Sequence, residues 1–218
     1  MTQDEAIKSP PVPPHLRGWL HAIGLPVFLF ASTALFLRAR SGAQVGWILC
    51  FVLGVGSMLF TSASYHRLAW SPQARRRWRR ADHFAIFLAI TGTYLAIIGL
   101  TLHGVIRGVV LIIFGAGTLA GILIRQLTID TQNWVNSMPY IVMGWAAVAV
   151  LPQIYRGGGA ACLALIISGG LAYTLGAIFL GIKRPRMWPA TFGPHELFHA
   201  LTLVGAGCHF AAVYLALK

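Results

Sequence analysis

Apolar residues gather along this chain into seven runs, each near the ~20 residues needed to cross about 30 Å of hydrocarbon. The runs extend from Gly18 to Leu37, Val45 to Tyr65, His83 to Leu102, Val105 to Ile124, Met138 to Gln153, Ala160 to Ile182 and His195 to Leu217, the fifth being the shortest. They predict an all-α integral membrane protein, a single seven-transmembrane helix bundle over residues 18–218. The opening MTQDEAIKSPPVPPHLR is polar and proline-rich, with no apolar core followed by a small-residue cleavage site. Residues 1–17 therefore read as a retained tail, not a secretion signal. No internal repeat and no separate soluble domain is visible.

Composition agrees with that setting. Of 218 residues, 57% are hydrophobic and 10% charged, with a mean hydropathy of +0.71, whereas soluble domains carry roughly 25% charged residues. Twenty-four glycines and eleven prolines are tolerated in membrane helices, where small residues let backbones approach. Gly117-x-x-x-Gly121 and Ser168-Gly169-Gly170 are read as such approach sites. Cys50, Cys162 and Cys208 lie in apolar runs without metal-type spacing, as small buried hydrophobes, and imply no disulfide framework.

Charge sets an expected orientation. With an odd number of spans and the N-terminus inside, the inner segments hold Lys8, Arg17, Arg67, Arg75, Arg76, Arg77, Arg79, Arg80, Arg125, Lys183, Arg184 and Arg186. The outer segments hold Arg38, Arg40, Arg107, Arg156 and Lys218, twelve against five. Basic residues favour the cytoplasmic side, so the N-terminus is expected in the cytoplasm and the C-terminus outside. The net charge of +12 is then mainly a topology signal. The basic residues adjoin spans and lack a recognition motif, so nucleic acid is not an expected partner. Membrane lipids are: the stretch SPQARRRWRRAD can hold anionic headgroups at about 1 kcal/mol per basic residue near the surface. The sequence sets no oligomeric state.

This topology brings polar residues from distant parts of the chain to one membrane boundary. His66 ends the second run, Asp82 opens the third, and His195 and His199 open the seventh within HELFH. Polar groups at such depth are costly unless paired or metal-bound. Residues four apart differ by about 40° around a helix, so His195 and His199 share a face and can converge on an ion at about 2.0–2.1 Å. Each residue also has a structural alternative. The histidines could bond backbone at the interface, Asp82 could cap the third helix, and Ser62, one turn before His66, could bond its own backbone. Glu196 follows Gly193 and Pro194 and suits a bond back to the cap, or could act as general base as in a soluble zinc protease. His83 points about 100° from Asp82 and is a weaker ligand alternative. His15, His21, His103 and His209 are placed in the tail, in outer halves of spans or near the opposite face, and are given no metal role.

The stretches SASYH, ADHFAIFLAITGTY and FGPHELFH, with MGW in the fifth span, resemble the bacterial hemolysin III family, prokaryotic relatives of the progestin and adipoQ receptors that include the adiponectin receptors. The likeness extends from the first span to the last. It implies seven helices, a cytoplasmic N-terminus, and one Zn2+ near the cytoplasmic face with His66, His195 and His199 as ligands. By the same resemblance Asp82 would hold the water on that ion and Ser62 would support the site. Many members read Thr-Pro after GTY, where this chain has Leu95 and Ala96.

Three histidines and a water leave an open position, the pattern of a catalytic zinc. The expected activity is hydrolysis of a long-chain lipid amide or ester, as the ceramidase-like activity of the resembling receptors suggests, in a bacterial cytoplasmic (inner) membrane. Two other classes are kept. One is a non-enzymatic homeostasis or signalling protein whose zinc ties three helices together. The other is an intramembrane protease, which would need a carboxylate ligand from Asp82 or Asp130.

Overall fold

A computed structural model describes residues 14–68, 70–128, 138–185, 187–188 and 190–218. Most of the polar tail, and Asp130, lie outside the described residues. The helices are α1 (Trp19–Arg38), α2 (Gly42–Arg67), α3 (Pro72–Thr101), α4 (Gly104–Leu127), α5 (Met138–Trp145), a 3-10 segment (Ala146–Val150), α6 (Leu151–Gly158), α7 (Ala160–Ile182) and α8 (Pro194–Ala216). With α5 to α6 counted as one span, seven are long and apolar enough to cross a membrane. The chain is an integral membrane protein of seven helical spans. Its outer surface is apolar where a soluble bundle would be charged: Ile112, Ile113, Leu119 and Leu123 of α4 all face outward.

Two spans differ from the sequence reading. The third run was expected to begin at His83, yet α3 starts at Pro72, because Ser71 caps it by accepting from the Ala74 N–H at 3.3 Å and Pro72 occupies its first turn. The arginines from Arg75 to Arg80 therefore stand on a helix, not in a loop. The fifth span runs to Gly158, past the expected Gln153, and is interrupted. Pro152 lacks an N–H and its ring clashes with the carbonyl four residues back, at Val148, inside the 3-10 segment. Further back, where the α-helix gives way to the 3-10 segment, the hydroxyl of Tyr94 of α3 donates to the Met143 carbonyl at 2.6 Å and accepts from the Ala147 N–H at 3.3 Å. This lets an irregular backbone persist at membrane depth.

The tightest packing joins α2 to α3 and α7 to α8. Gly54 and Gly92 face each other with Cα atoms so close that a Cβ on Gly54 would meet the Leu88 carbonyl oxygen at 2.3 Å, and one on Gly92 the Cys50 carbonyl at 2.3 Å. Lipid tails are as apolar as leucine, so this close van der Waals fit stabilises the pair where water exclusion does not. Gly117, Gly121 and Gly169 also serve close approach, to Met143, Phe87 and His209, but nothing lies within 4 Å of a Cβ on Gly170. The thiols of Cys50, Cys162 and Cys208 are free, and only Cys162 is fully buried.

Candidate metal centre

The last turn of α2 and the first two turns of α8 meet at one end of the bundle. His66 comes from α2, His195 and His199 from α8, and their ligand atoms all lie within 4.8 Å of one another. The Nε2 atoms of His66 and His195 are 3.2 Å apart. Two nitrogens bound tetrahedrally at 2.0–2.1 Å stand about 3.3 Å apart, so the separation fits one shared ion as well as a hydrogen bond. The rings of His195 and His199 have centroids 4.5 Å apart, and His199 is 2% exposed. The donor set fits a metal ion with imidazole ligands. The ligands come from two helices, not three.

Asp82 sits well inside α3, and the capping role belongs to Ser71. Ser62, buried on α2 one turn before His66, lines the cavity together with Asp82 of α3. His83 turns its Nδ1 to the Arg79 carbonyl at 2.7 Å and stands outside the ligand group.

Glu196 is committed elsewhere. Its Oε2 accepts from the Gly193 N–H at 2.9 Å, bonding back to the cap at the start of α8, while Oε1 accepts from Arg17 Nε. The carboxylate is 1% exposed. Both oxygens are thus engaged in structure. The segment before α1 is tied to the same place, His15 and Leu16 donating their N–H groups to the Ala190 and Thr191 carbonyls at 3.0 and 3.2 Å. Gly18 makes the junction with φ +79°, and a Cβ there would meet His66 Cβ at 2.7 Å.

His21 is the site residue that the sequence reading misplaced. It lies in the first turn of α1, at the same end as the histidine group, and its ring stacks on His199 with centroids 4.0 Å apart and planes 8° from parallel. The reading grouped it with residues remote from this boundary. Its distance from the start of the first span was the available signal, since an inward-facing residue there must lie at the level where the second span ends.

A cavity of about 290 Å³ opens from this group into the bundle, near the lower limit of ~300 Å³ for small-molecule sites. Ser62, His66, Asp82, His195 and His199 line one end. Ile90, Ile97, Ile154 and Ile166 line its further reach, with His209 beyond. Ten residues of α8 separate His199 from His209, a rise of about 15 Å. The polar groups thus cluster at the end of a long, mostly apolar chamber.

The family model described as Haemolysin-III related matches residues 12–210. Hemolysin-3 of Bacillus cereus is 25% identical over 195 residues, covering 88% of this chain and 86% of that protein. The Hemolysin-3 homolog of Bacillus subtilis is also 25% identical over 195 residues, covering 88% of this chain and 89% of that one. The heptahelical transmembrane protein ADIPOR2 of Oryza sativa subsp. japonica is 36% identical over 91 residues, 36% of this chain and 39% of that protein.

Proposed function

The chain belongs to the Haemolysin-III related family, and on that premise we propose that it is a zinc-dependent hydrolase of a long-chain lipid amide or ester, working at the cytoplasmic face of a bacterial inner membrane. The observation that carries this reading is the convergence of three histidines, Asp82 and Ser62 at one end of a largely apolar cavity. His66, His195 and His199 would hold the ion. When bound, zinc supplies Lewis acidity and lowers the pKa of water on its open position to about 7.

The chain's own groups divide the remaining work. The isoleucine-lined reach binds an acyl chain by excluding it from water and ordering it along the bundle. Asp82 accepts a proton at a carboxylate oxygen, and the Ser62 hydroxyl, on the same cavity wall, supports the site. Glu196 holds the start of α8, and with it His195 and His199, in place.

A second reading has its own support. α2 and α8 share little direct packing, yet the histidine group bridges them, which suits a structural ion in a homeostasis or signalling protein. The deciding measurement is mass-spectrometric product release from a mixed lipid extract by wild type, Asp82→Asn and zinc-stripped protein in parallel. A hydrolase should give zinc-dependent products, and Asp82→Asn should keep zinc and fold while losing about 10²–10⁴-fold in turnover, the usual worth of general-base help. No zinc-dependent product from folded, zinc-loaded wild type across broad lipid classes would favour the structural ion.

A further inference from the structure

Arg125 stands in the last turn of α4, where the adjacent Gln126 side chain donates to the Arg80 carbonyl of α3 at 3.3 Å. A long cation near a helix end ordinarily carries its charged head out to water. Arg125 does not: it is 5% exposed and turned into the bundle, the one arginine or lysine among the described residues that line the cavity. Its Nε donates to the Tyr140 hydroxyl at 3.2 Å and its Nη1 to the Thr128 carbonyl at 3.1 Å. The Tyr140 hydroxyl in turn donates to the His83 carbonyl at 3.3 Å, so α3, α4 and α5 together brace the guanidinium. A guanidinium has five N–H donors and no acceptor, and the other three have no partner among the described residues. Nor does any acidic side chain among them pair with it: Glu196 is held by Arg17, and Asp82 stands outside ion-pair distance. The carbonyl end of α4 offsets part of the charge. An otherwise unpaired cation at membrane depth calls for a ligand.

We propose that Arg125 binds an anionic group, a carboxylate or a phosphate, on the polar head of the cavity's acyl lipid. The inference rests on the reading of the cavity as a lipid site and holds whether or not that lipid is cleaved. An acyl chain laid along the isoleucine-lined reach presents its head to the end where the polar groups gather. The histidine group reaches that end from α2 and α8, and Arg125 reaches the cavity from α4, so the head meets polar side chains from separate walls. Carboxylate and phosphate both offer paired oxygens to a guanidinium, with charge-assisted bonds about twice as strong as neutral ones. A neutral head leaves the charge of Arg125 desolvated and uncompensated, and discrimination follows from the protein group that the wrong ligand strands.

The test uses matched probes that differ in charge. N-oleoylglycine is set against N-oleoylglycinamide, the phosphate monoester of N-oleoylethanolamine against N-oleoylethanolamine, and oleate against oleamide, the pair whose charge lies on the acyl end. Equilibrium binding to the full chain is measured in phosphatidylcholine nanodiscs and corrected for uptake by empty discs, with probe integrity checked by mass spectrometry. At least one head-charged probe should bind about ten-fold more tightly than its neutral partner, the effect of one charge-assisted hydrogen bond. Which pair shows the preference identifies the anion. It should persist at about 1 M salt, where exposed arginines are screened beyond ~3 Å. Arg125→Gln removes the charge and keeps an amide donor, so it should bind the neutral probes as wild type does and show no preference. Arg125→Lys keeps the charge without the fork and should retain part of it. If Arg125→Gln does not fold, Arg125→Met poses the same question. Equal affinities within both head-charged pairs, with the neutral probes bound, would overturn the proposal and leave the cavity a lipid site; binding of no probe would overturn both. A preference abolished by salt, or undiminished in Arg125→Gln or Arg125→Met, would assign the anion to other arginines and sink the proposal. An Arg125-dependent preference confined to oleate over oleamide would put the charge on the acyl end, against the head-group assignment.

Discussion

Replacing Glu196 separates a structural carboxylate from a catalytic one. Glu196→Ala removes one partner of a pair whose acid is 1% exposed and whose arginine, Arg17, is 26% exposed. Breaking a buried pair costs about 3–5 kcal/mol because a charge is left behind. Arg17 can regain some hydration, which moves the cost toward the lower figure. The Gly193 N–H also loses its acceptor, adding about 1 kcal/mol. A total near 4 kcal/mol, at roughly 2–4 °C per kcal/mol for a chain of this size, lowers the melting temperature by on the order of 10 °C. Glu196→Gln keeps an acceptor for the cap and loses only the charge, so its effect should be less than half as large. Thermal unfolding in detergent, zinc content by mass spectrometry and lipid turnover are measured on the same preparations. Glu196→Gln should retain zinc, with turnover within about ten-fold of wild type. A Glu196→Gln chain with unchanged stability and zinc but a 10²–10⁴-fold loss of turnover would refute this reasoning and restore the general-base role.

Purified protein should hold about one zinc per chain, since three neutral imidazoles with an open position suit zinc better than magnesium or calcium. Elemental analysis should find strongly lowered occupancy in His66→Ala, His195→Ala and His199→Ala, and unchanged occupancy in His83→Ala. Full occupancy in His66→Ala together with its loss in Asp130→Ala would mean a different ligand set. For orientation, a reporter fused after Lys218 should lie outside and one fused after Ser71 in the cytoplasm. Finding both on one side would overturn the expected membrane topology.

The spans were legible because hydropathy records what faces lipid, and no run found in the sequence overruns its observed span by more than one residue. The start of α3 was not, since its first turns are arginine-rich and apolar counting ends where the charges begin. Ser71 followed by Pro72 is nonetheless a helix-start signal readable without any hydropathy. The break in the fifth span was equally readable from Pro152, but its persistence depends on the Tyr94 hydroxyl, a contact 53 residues away from Ala147 that no local pattern reveals. The histidine spacing on α8 followed from helical geometry alone. The pairing of Arg17 with Glu196, across 179 residues, and the stack of His21 on His199 arise from how α1 lies against α8, which helical periodicity does not determine.

The two most tightly packed helix pairs divide the candidate centre between them. One stiff hairpin, α2 with α3, brings Ser62, His66 and Asp82, and the other, α7 with α8, brings His195 and His199. The candidate ligands therefore face one another across the seam between two tightly packed helix pairs. A small slide of one hairpin along the other alters the spacing between His66 and the α8 histidines while leaving each hairpin unstrained. The affinity of the candidate centre for a metal ion would then gauge that alignment.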